Sequence, residues 1–144
     1  MENIIKVIRS EEAQKYPLLH TKKQGDVGHD LPSTEQVVIP ARSRGIVPTG
    51  VKLEMPSGVW ATIEGRSSTS QHMLITPSSI IDTGYRGELF AVLFNLGDQD
   101  YIVKKGDRLV QVIFHKVVNT AITEVEHISI SERGESGFGS TNEQ

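Results

Sequence analysis

Residues 109–116 read LVQVIFHK, and their alternation decides the fold class. On an extended chain Val110, Val112, Phe114 and Lys116 face one side, while Leu109, Gln111, Ile113 and His115 face the other. A glycine turn, KKGD at 104–107, feeds this strand, and the same grammar runs through the rest of the chain. Short, mostly β-branched runs at 4–8, 37–39, 45–55, 59–63, 80–81, 89–95, 101–103, 109–118 and 122–125 are candidate strands. Between them stand MPSG at 55–58, DTGY at 82–85 and LGDQD at 96–100, each a turn signal. Strands recurring at such spacing predict an all-β sandwich or barrel. Only 10–16 and 67–73 carry a weak helical pattern.

The chain has 144 residues, which is one domain at the usual ~100–200 residues each. Hydrophobic residues make up 37% and charged residues 23%, so a soluble globule with a single core is expected. The net charge of −3 leaves no basic footprint, and no nucleic-acid partner is expected. There is no cysteine, which excludes disulfides, thiolate metal sites and cysteine nucleophiles together. The five histidines never stand four apart, so the helical zinc-protease pair is absent. No apolar run approaches the ~18 residues of a membrane span, and the N-terminus lacks a signal-peptide block. A cytoplasmic protein without a membrane partner is the expectation.

Four segments are over-specified for plain β structure. DVGHDLPS at 26–33 reads as a turn before a proline-punctuated strand. EGRSSTS at 64–70 places Arg66 before a row of hydroxyls directly after a strand, a ready anion site if a helical turn starts there. In IIDTGYRGEL at 80–89, DTGY between two apolar runs signals a hairpin, with Gly84 supplying a positive φ. That turn chemistry accounts for Asp82 and Gly84 and leaves Tyr85, Arg86 and Gly87 unexplained. KKGDRLVQVI at 104–113 carries a polar Gln111 in an otherwise apolar strand. The end of the chain, SERGESGFGSTNEQ at 131–144, has three glycines, three serines and a single apolar side chain, Phe138. Its composition predicts a flexible tail, within which Phe138 has nothing to pack against.

In their order, DVGHDL (26–31), GRSS (65–68), IIDTGYRGE (80–88), GDRLVQVI (106–113) and RGESGFGST (133–141) resemble the five motifs of the trimeric dUTPase family, the deoxyuridine 5′-triphosphate nucleotidohydrolases. The resemblance implies a distorted jelly-roll-like β-barrel of the β-clip type, assembled as a homotrimer with active sites at subunit interfaces. Residues 1–130 would form the β-rich core, and 131–144 an arm that closes over the site. The reaction implied is Mg²⁺-dependent hydrolysis of dUTP to dUMP and pyrophosphate, by attack of water on the α-phosphate.

By the same resemblance Asp82 would be the catalytic base, and Tyr85 would pack against the deoxyribose. Ile81 and the neighbouring backbone would read the uracil. Arg66, Ser67, Ser68 and Gln111 would hold the α- and β-phosphates. Arg133, Ser140 and Thr141 would reach the γ-phosphate, with Phe138 and Gly139 covering the base. Asp30 would meet the metal through water. The chain departs from the family pattern at His29, Gly65, Ser79, Ser136 and Asn142. A dCTP deaminase relative is the enzyme rival, but Val92 stands where that chemistry needs a glutamate. A nucleotide-controlled regulatory binding protein is the rival from another class: a protein partner is expected if the chain is phage-encoded, with residues 1–24 as its surface.

Overall fold

The computed structural model describes residues 3–19 and 23–139. Its strands, in chain order, are β1 (Lys6–Arg9), β2 (Gly28–Leu31), β3 (Val37–Ile39), β4 (Arg44–Glu54), β5 (Val59–Gly65), β6 (Leu74–Ile75), β7 (Ser79–Ile81), β8 (Glu88–Asn95), β9 (Tyr101–Val103) and β10 (Val110–Lys116). Single 3₁₀ turns at Ala13–Lys15 and Ser70–His72 fall inside the two weakly helical segments. Every strand pairing is antiparallel. One sheet runs β1-β4-β8-β6, a second runs β2-β10-β5-β7, and β3-β9 forms a small ribbon. The architecture is the all-β, jelly-roll-like one.

Alternation does the packing. On β8, Leu89, Ala91 and Leu93 are buried, while Phe90, Val92 and Phe94 stand on the outer face. On β10, Val110 and Val112 point inward and Gln111 and Ile113 outward, as the period of two requires. One continuous cluster results, holding Leu31 of β2, Val47, Val51 and Leu53 of β4, Ala61 and Ile63 of β5, and the inner rows of β8 and β10. Each large aliphatic side chain removed from water there contributes about 1.5–3 kcal/mol.

β4 is too long to follow its partner without a break. Its register with β8 shifts between Pro48 and Lys52. Pro48, which has no N–H to donate, sits at the start of this irregularity, where a ladder bond is not required. Gly50 takes a φ of 68° and its carbonyl accepts from Ser10 N at 2.7 Å. A Cβ at Gly50 would stand 2.2 Å from Ser10 Oγ and 2.9 Å from Thr34 Cγ2, so the N-terminal segment docks only on glycine.

Three expectations are corrected. Residues 28–31, read as a turn, are an edge strand paired to β10. The stretch 80–89 is no hairpin: β7 pairs with β5 in one sheet and β8 pairs with β4 and β6 in the other, so DTGY carries the chain between sheets. Gly84 does not take a positive φ; the turn closes by Tyr85 N donating to Asp82 O at 3.0 Å. Residues 122–125 form no strand, and Ile122 is almost wholly exposed. Their β-branched composition has no partner strand among the described residues.

Candidate functional site

The β2-β10-β5 side of the second sheet brings the first, second and fourth motifs together. Gln111 on β10 lies opposite Asp30 of β2 on one side and Glu64 of β5 on the other. Its amide donates to Gly65 O at 2.9 Å, so the glutamine is a half-buried tie rather than a solvent-facing residue. Gly28 explains its own identity here: a Cβ would come within 1.8 Å of Gln111 Oε1. The glutamine side chain lies across bare backbone.

Arg66, in the bend after β5, is fixed from several directions. Its Nε pairs with Asp30 Oδ1 at 2.9 Å, and its Nη1 donates to Arg108 O at 2.6 Å. The Arg66 backbone N–H donates to Thr69 Oγ1, and that buried hydroxyl donates to Leu109 O. Arg108 Nη1 stands 3.7 Å from Asp30 Oδ2. These groups face a cleft of about 550 Å³, lined among others by Asp30, Arg66, Ser67, Gln111, Arg108 and Lys23. Tyr16, at its rim, donates its hydroxyl to Glu12, and partial burial followed by that bond raises the phenol above its ordinary pKa. Guanidiniums, an ammonium, an amide and a hydroxyl converging on one concavity suit a phosphate-bearing anion.

Among the described residues no group of three or more His, Asp or Glu could hold a metal. Asp30 faces guanidiniums with both carboxylate oxygens. This donor set fits Mg²⁺ carried in on a polyphosphate and met through water, and does not fit a cation caged by the protein.

The third motif is built separately. Thr83 Oγ1 donates to Val59 O at 2.6 Å, pinning the turn to β5. Tyr85 donates its hydroxyl to Glu88 O at 2.9 Å, and its ring lies over Gly87, where a Cβ would meet the phenol oxygen at 2.3 Å. Arg86 folds back on Thr83 O at 2.9 Å. The three residues that turn chemistry left unexplained are therefore one unit, with the glycine as the floor under the tyrosine ring. Asp82 is exposed, and neither it nor Ile81 or Tyr85 lines the phosphate cleft of its own chain.

After Lys116 the described chain forms no strand. Val118, Ile122, Val125, Ile128 and Ile130 are all exposed. Within it Arg133 Nε donates to Ser136 O at 3.0 Å, closing a small turn in which Gly134 takes a φ of 59°. Phe138 is fully exposed, and Gly139 follows it at a φ of 81°. Ser140 and Thr141 lie outside the described residues. One chain thus brings together Asp30, Arg66, Ser67 and Gln111. It leaves Ser68, Ile81, Asp82, Tyr85, Arg133, Phe138 and Gly139 apart from that cleft. Two cleft cations, Arg108 and Lys23, went unassigned in the sequence. Arg108 stands inside the GDRLVQ stretch, where a charge next to a turn reads as solvated.

Comparison with known proteins identifies the family. The dUTPase family profile matches residues 14–142. A deoxyuridine 5′-triphosphate nucleotidohydrolase of Oryza sativa subsp. japonica is 37% identical over 142 residues, covering 90% of this chain and 83% of its own. That of Paramecium bursaria Chlorella virus 1 is 40% identical over 119 residues, covering 82% and 84%. In fold, the chain superposes on the Staphylococcus bacteriophage 80alpha dUTPase, solved with dUPNHPP, at a TM-score of 0.86 and 25% identity, covering 96% of this chain and 98% of that one. With its motifs in order and relatives this similar along most of its length, the chain belongs to the dUTPase family.

Proposed function

We propose that this protein hydrolyses dUTP to dUMP and pyrophosphate, as a homotrimer whose active sites are shared between copies. The observation that carries the reading is the cleft around Arg66, Gln111 and Asp30: a phosphate site held ready by the fold, with an exposed carboxylate turn and an exposed aromatic tail outside it. An apolar outer face supports assembly. Phe90 and Phe94 of β8 are exposed beside Pro48 of β4 and Ile75 of β6, where a solvent-facing sheet would carry polar residues.

In the reaction, Arg66, Ser67, Ser68 and Gln111 bind the α- and β-phosphates. Their fixed donors face the charge that builds on the phosphoryl oxygens and need little reorganisation. Asp82 accepts a proton from the attacking water as the water oxygen bonds to the α-phosphorus. The bond from that phosphorus to the bridging oxygen breaks, and pyrophosphate leaves. A carboxylate in this role works only within hydrogen-bond reach of the water, so the Asp82 turn must meet the cleft of a neighbouring copy. Tyr85, immobilised over Gly87, presents a rigid ring to the deoxyribose and leaves no space for a 2′-hydroxyl. The backbone around Ile81 reads the uracil edge, where a cytosine would leave buried donors and acceptors unpaired. Arg133, Ser140 and Thr141 hold the γ-phosphate, and Phe138 with Gly139 covers the base. Asp30 would meet Mg²⁺ carried on the triphosphate through water, and the cation would supply part of the charge neutralisation.

Pyrophosphate release measured against dUTP, dTTP, dCTP and UTP tests the reading. Turnover of dUTP alone is expected. Ammonia release from dCTP would contradict it and favour the deaminase rival, although Val92 on the outer face of β8 offers that chemistry no proton carrier.

A further inference from the structure

We infer that Thr83 is a positioning residue for Asp82, tying the carboxylate turn to β5 through its side chain. The inference rests on Asp82 being the base in the function proposed above. β7 pairs with β5 as far as Ile81, which lies opposite Ala61. Continuing that register by two residues sets Thr83 opposite Val59, beyond the last backbone pairing. There the threonine hydroxyl takes over, donating to Val59 O at 2.6 Å. Asp82 is therefore bracketed: a backbone pairing ties the residue before it to β5, and a hydroxyl ties the residue after it. Thr83 is half-buried, whereas Asp82 and Gly84 on either side of it are exposed.

The other hydrogen bonds of the turn shape it without placing it. Tyr85 N–H donates to Asp82 O, Arg86 Nη1 to Thr83 O and Tyr85 O, and the Tyr85 hydroxyl to Glu88 O. Among the described residues, Thr83 carries the one side-chain hydrogen bond from this turn to another strand. Its acceptor is a fixed point. Val59 is buried and pairs with Lys116 of β10, and Val117 N–H donates to Gly58 O at 2.9 Å. Trp60 Nε1 donates to Lys116 O at 3.2 Å, and its ring stacks on His115 with centroids 4.4 Å apart. Without the Thr83 bond the turn hangs from the ends of β7 and β8 alone. A general base works only within hydrogen-bond reach of its water, and a misplacement of about 1 Å costs on the order of 10²-fold.

The test is dUTP kinetics of Thr83→Val and Thr83→Ser, alone and combined with Asp82→Asn, together with amide exchange at residues 84–87. Thr83→Val keeps the branched shape and removes the donor. Its kcat should fall about 10- to 100-fold with KM little changed, the pattern of a loss felt in the transition state. Thr83→Ser keeps the hydroxyl and should regain most of that loss. Added to Asp82→Asn, Thr83→Val should cost nothing further, because Thr83 acts through the carboxylate. Where Thr83→Val does not fold, Thr83→Ala removes the same donor with less bulk and carries the comparison. Unchanged kcat in Thr83→Val, a Thr83→Ser no better than it, or an equal loss in the Asp82→Asn background would each overturn the inference. An active Asp82→Asn protein, or a wild type that does not turn over dUTP, would instead sink the proposed function. Amide exchange still decides the tie in that case: it should be faster in Thr83→Val than in wild type, and equal exchange would refute it.

Discussion

Two regions of this chain that carry family motifs differ in what holds them. Around Arg66 and Gln111, side chains reach the backbone of β5 and of the loop before β10, and a methyl group on Gly28 would collide with Gln111. From Val117 onward the described chain buries no side chain, and its apolar residues, from Val118 to Phe138, face solvent. The difference teaches where each part of the site gets its geometry. The cleft beside Arg66 and Gln111 is a product of folding, since the hydrogen bonds that shape it tie β5 to β10 and the loop before it. The described part of the tail has no such support in its own chain, so in the function proposed above its order would come from another copy or from the nucleotide. The Asp82–Tyr85 turn lies between these extremes: rigid in itself, yet outside the cleft it would serve.

The largest effect should come from that turn. Asp82→Asn keeps volume and an acceptor and cannot take a proton, so kcat should fall by about 10²–10⁴-fold with dUTP binding retained. Single-turnover kinetics with a binding titration checks this; a variant keeping a third of wild-type turnover would remove Asp82 from the chemistry. Next comes a chain ended after Ile130. Its thermal unfolding without nucleotide should match wild type, because the described part of the lost segment, residues 131–139, buries no side chain, whereas kcat/KM should drop further than for any single tail substitution. Full activity of the shortened protein would make the tail inert.

Phe138→Ala separates the ring from the rest of the tail. Stacking on a base is worth ~1–3 kcal/mol, so a fall in kcat/KM of roughly 5–150-fold is expected at about 1.36 kcal/mol per decade, with the unliganded melting temperature unchanged. Gly28→Ala probes the other region, and its activity effect should be the smallest. The new methyl group must push Gln111 aside, raising KM slightly and costing ~1–3 kcal/mol of stability by overpacking. Here, unlike in the tail, function and melting temperature should move together. A Gly28→Ala protein with normal stability would mean that the cleft is no more rigid than the tail.

Legibility in the sequence followed the same division. Strands that alternate over six or more residues, such as β8 and β10, were readable because one face must be apolar and the other need not be. β2 was not, since GHDL is short, half polar and flanked by turn residues; it becomes a strand because β10 offers it an edge. The 80–89 segment shows a second limit. A turn signal marks where the chain reverses, and says nothing of which sheet the next strand joins; β8 leaves β7 for β4, a partner more than thirty residues away in sequence. Residues 122–125 have β-branched side chains without a partner, and propensity alone does not make a strand. In the site, motif order pointed to Asp30, Arg66, Ser67 and Gln111, which the cleft unites. Arg108 and Lys23 were missed because their place in the cleft depends on what faces them across the fold, which local pattern does not encode.

The central claim is that one active site draws on more than one copy of the chain, and mixing inactive proteins tests it most directly. Asp82→Asn and the chain ended after Ile130 should each be nearly inactive alone. Denatured together in equal amounts and refolded, they should form mixed trimers in which about a quarter of the sites combine an intact Asp82 from one copy with an intact tail from another. Return of activity toward that fraction, with none when the two are separately refolded and kept apart, is the predicted result. A co-refolded mixture no more active than its parts, although sedimentation shows mixed trimers, would mean that Asp82 and the tail serve the same site from the same chain.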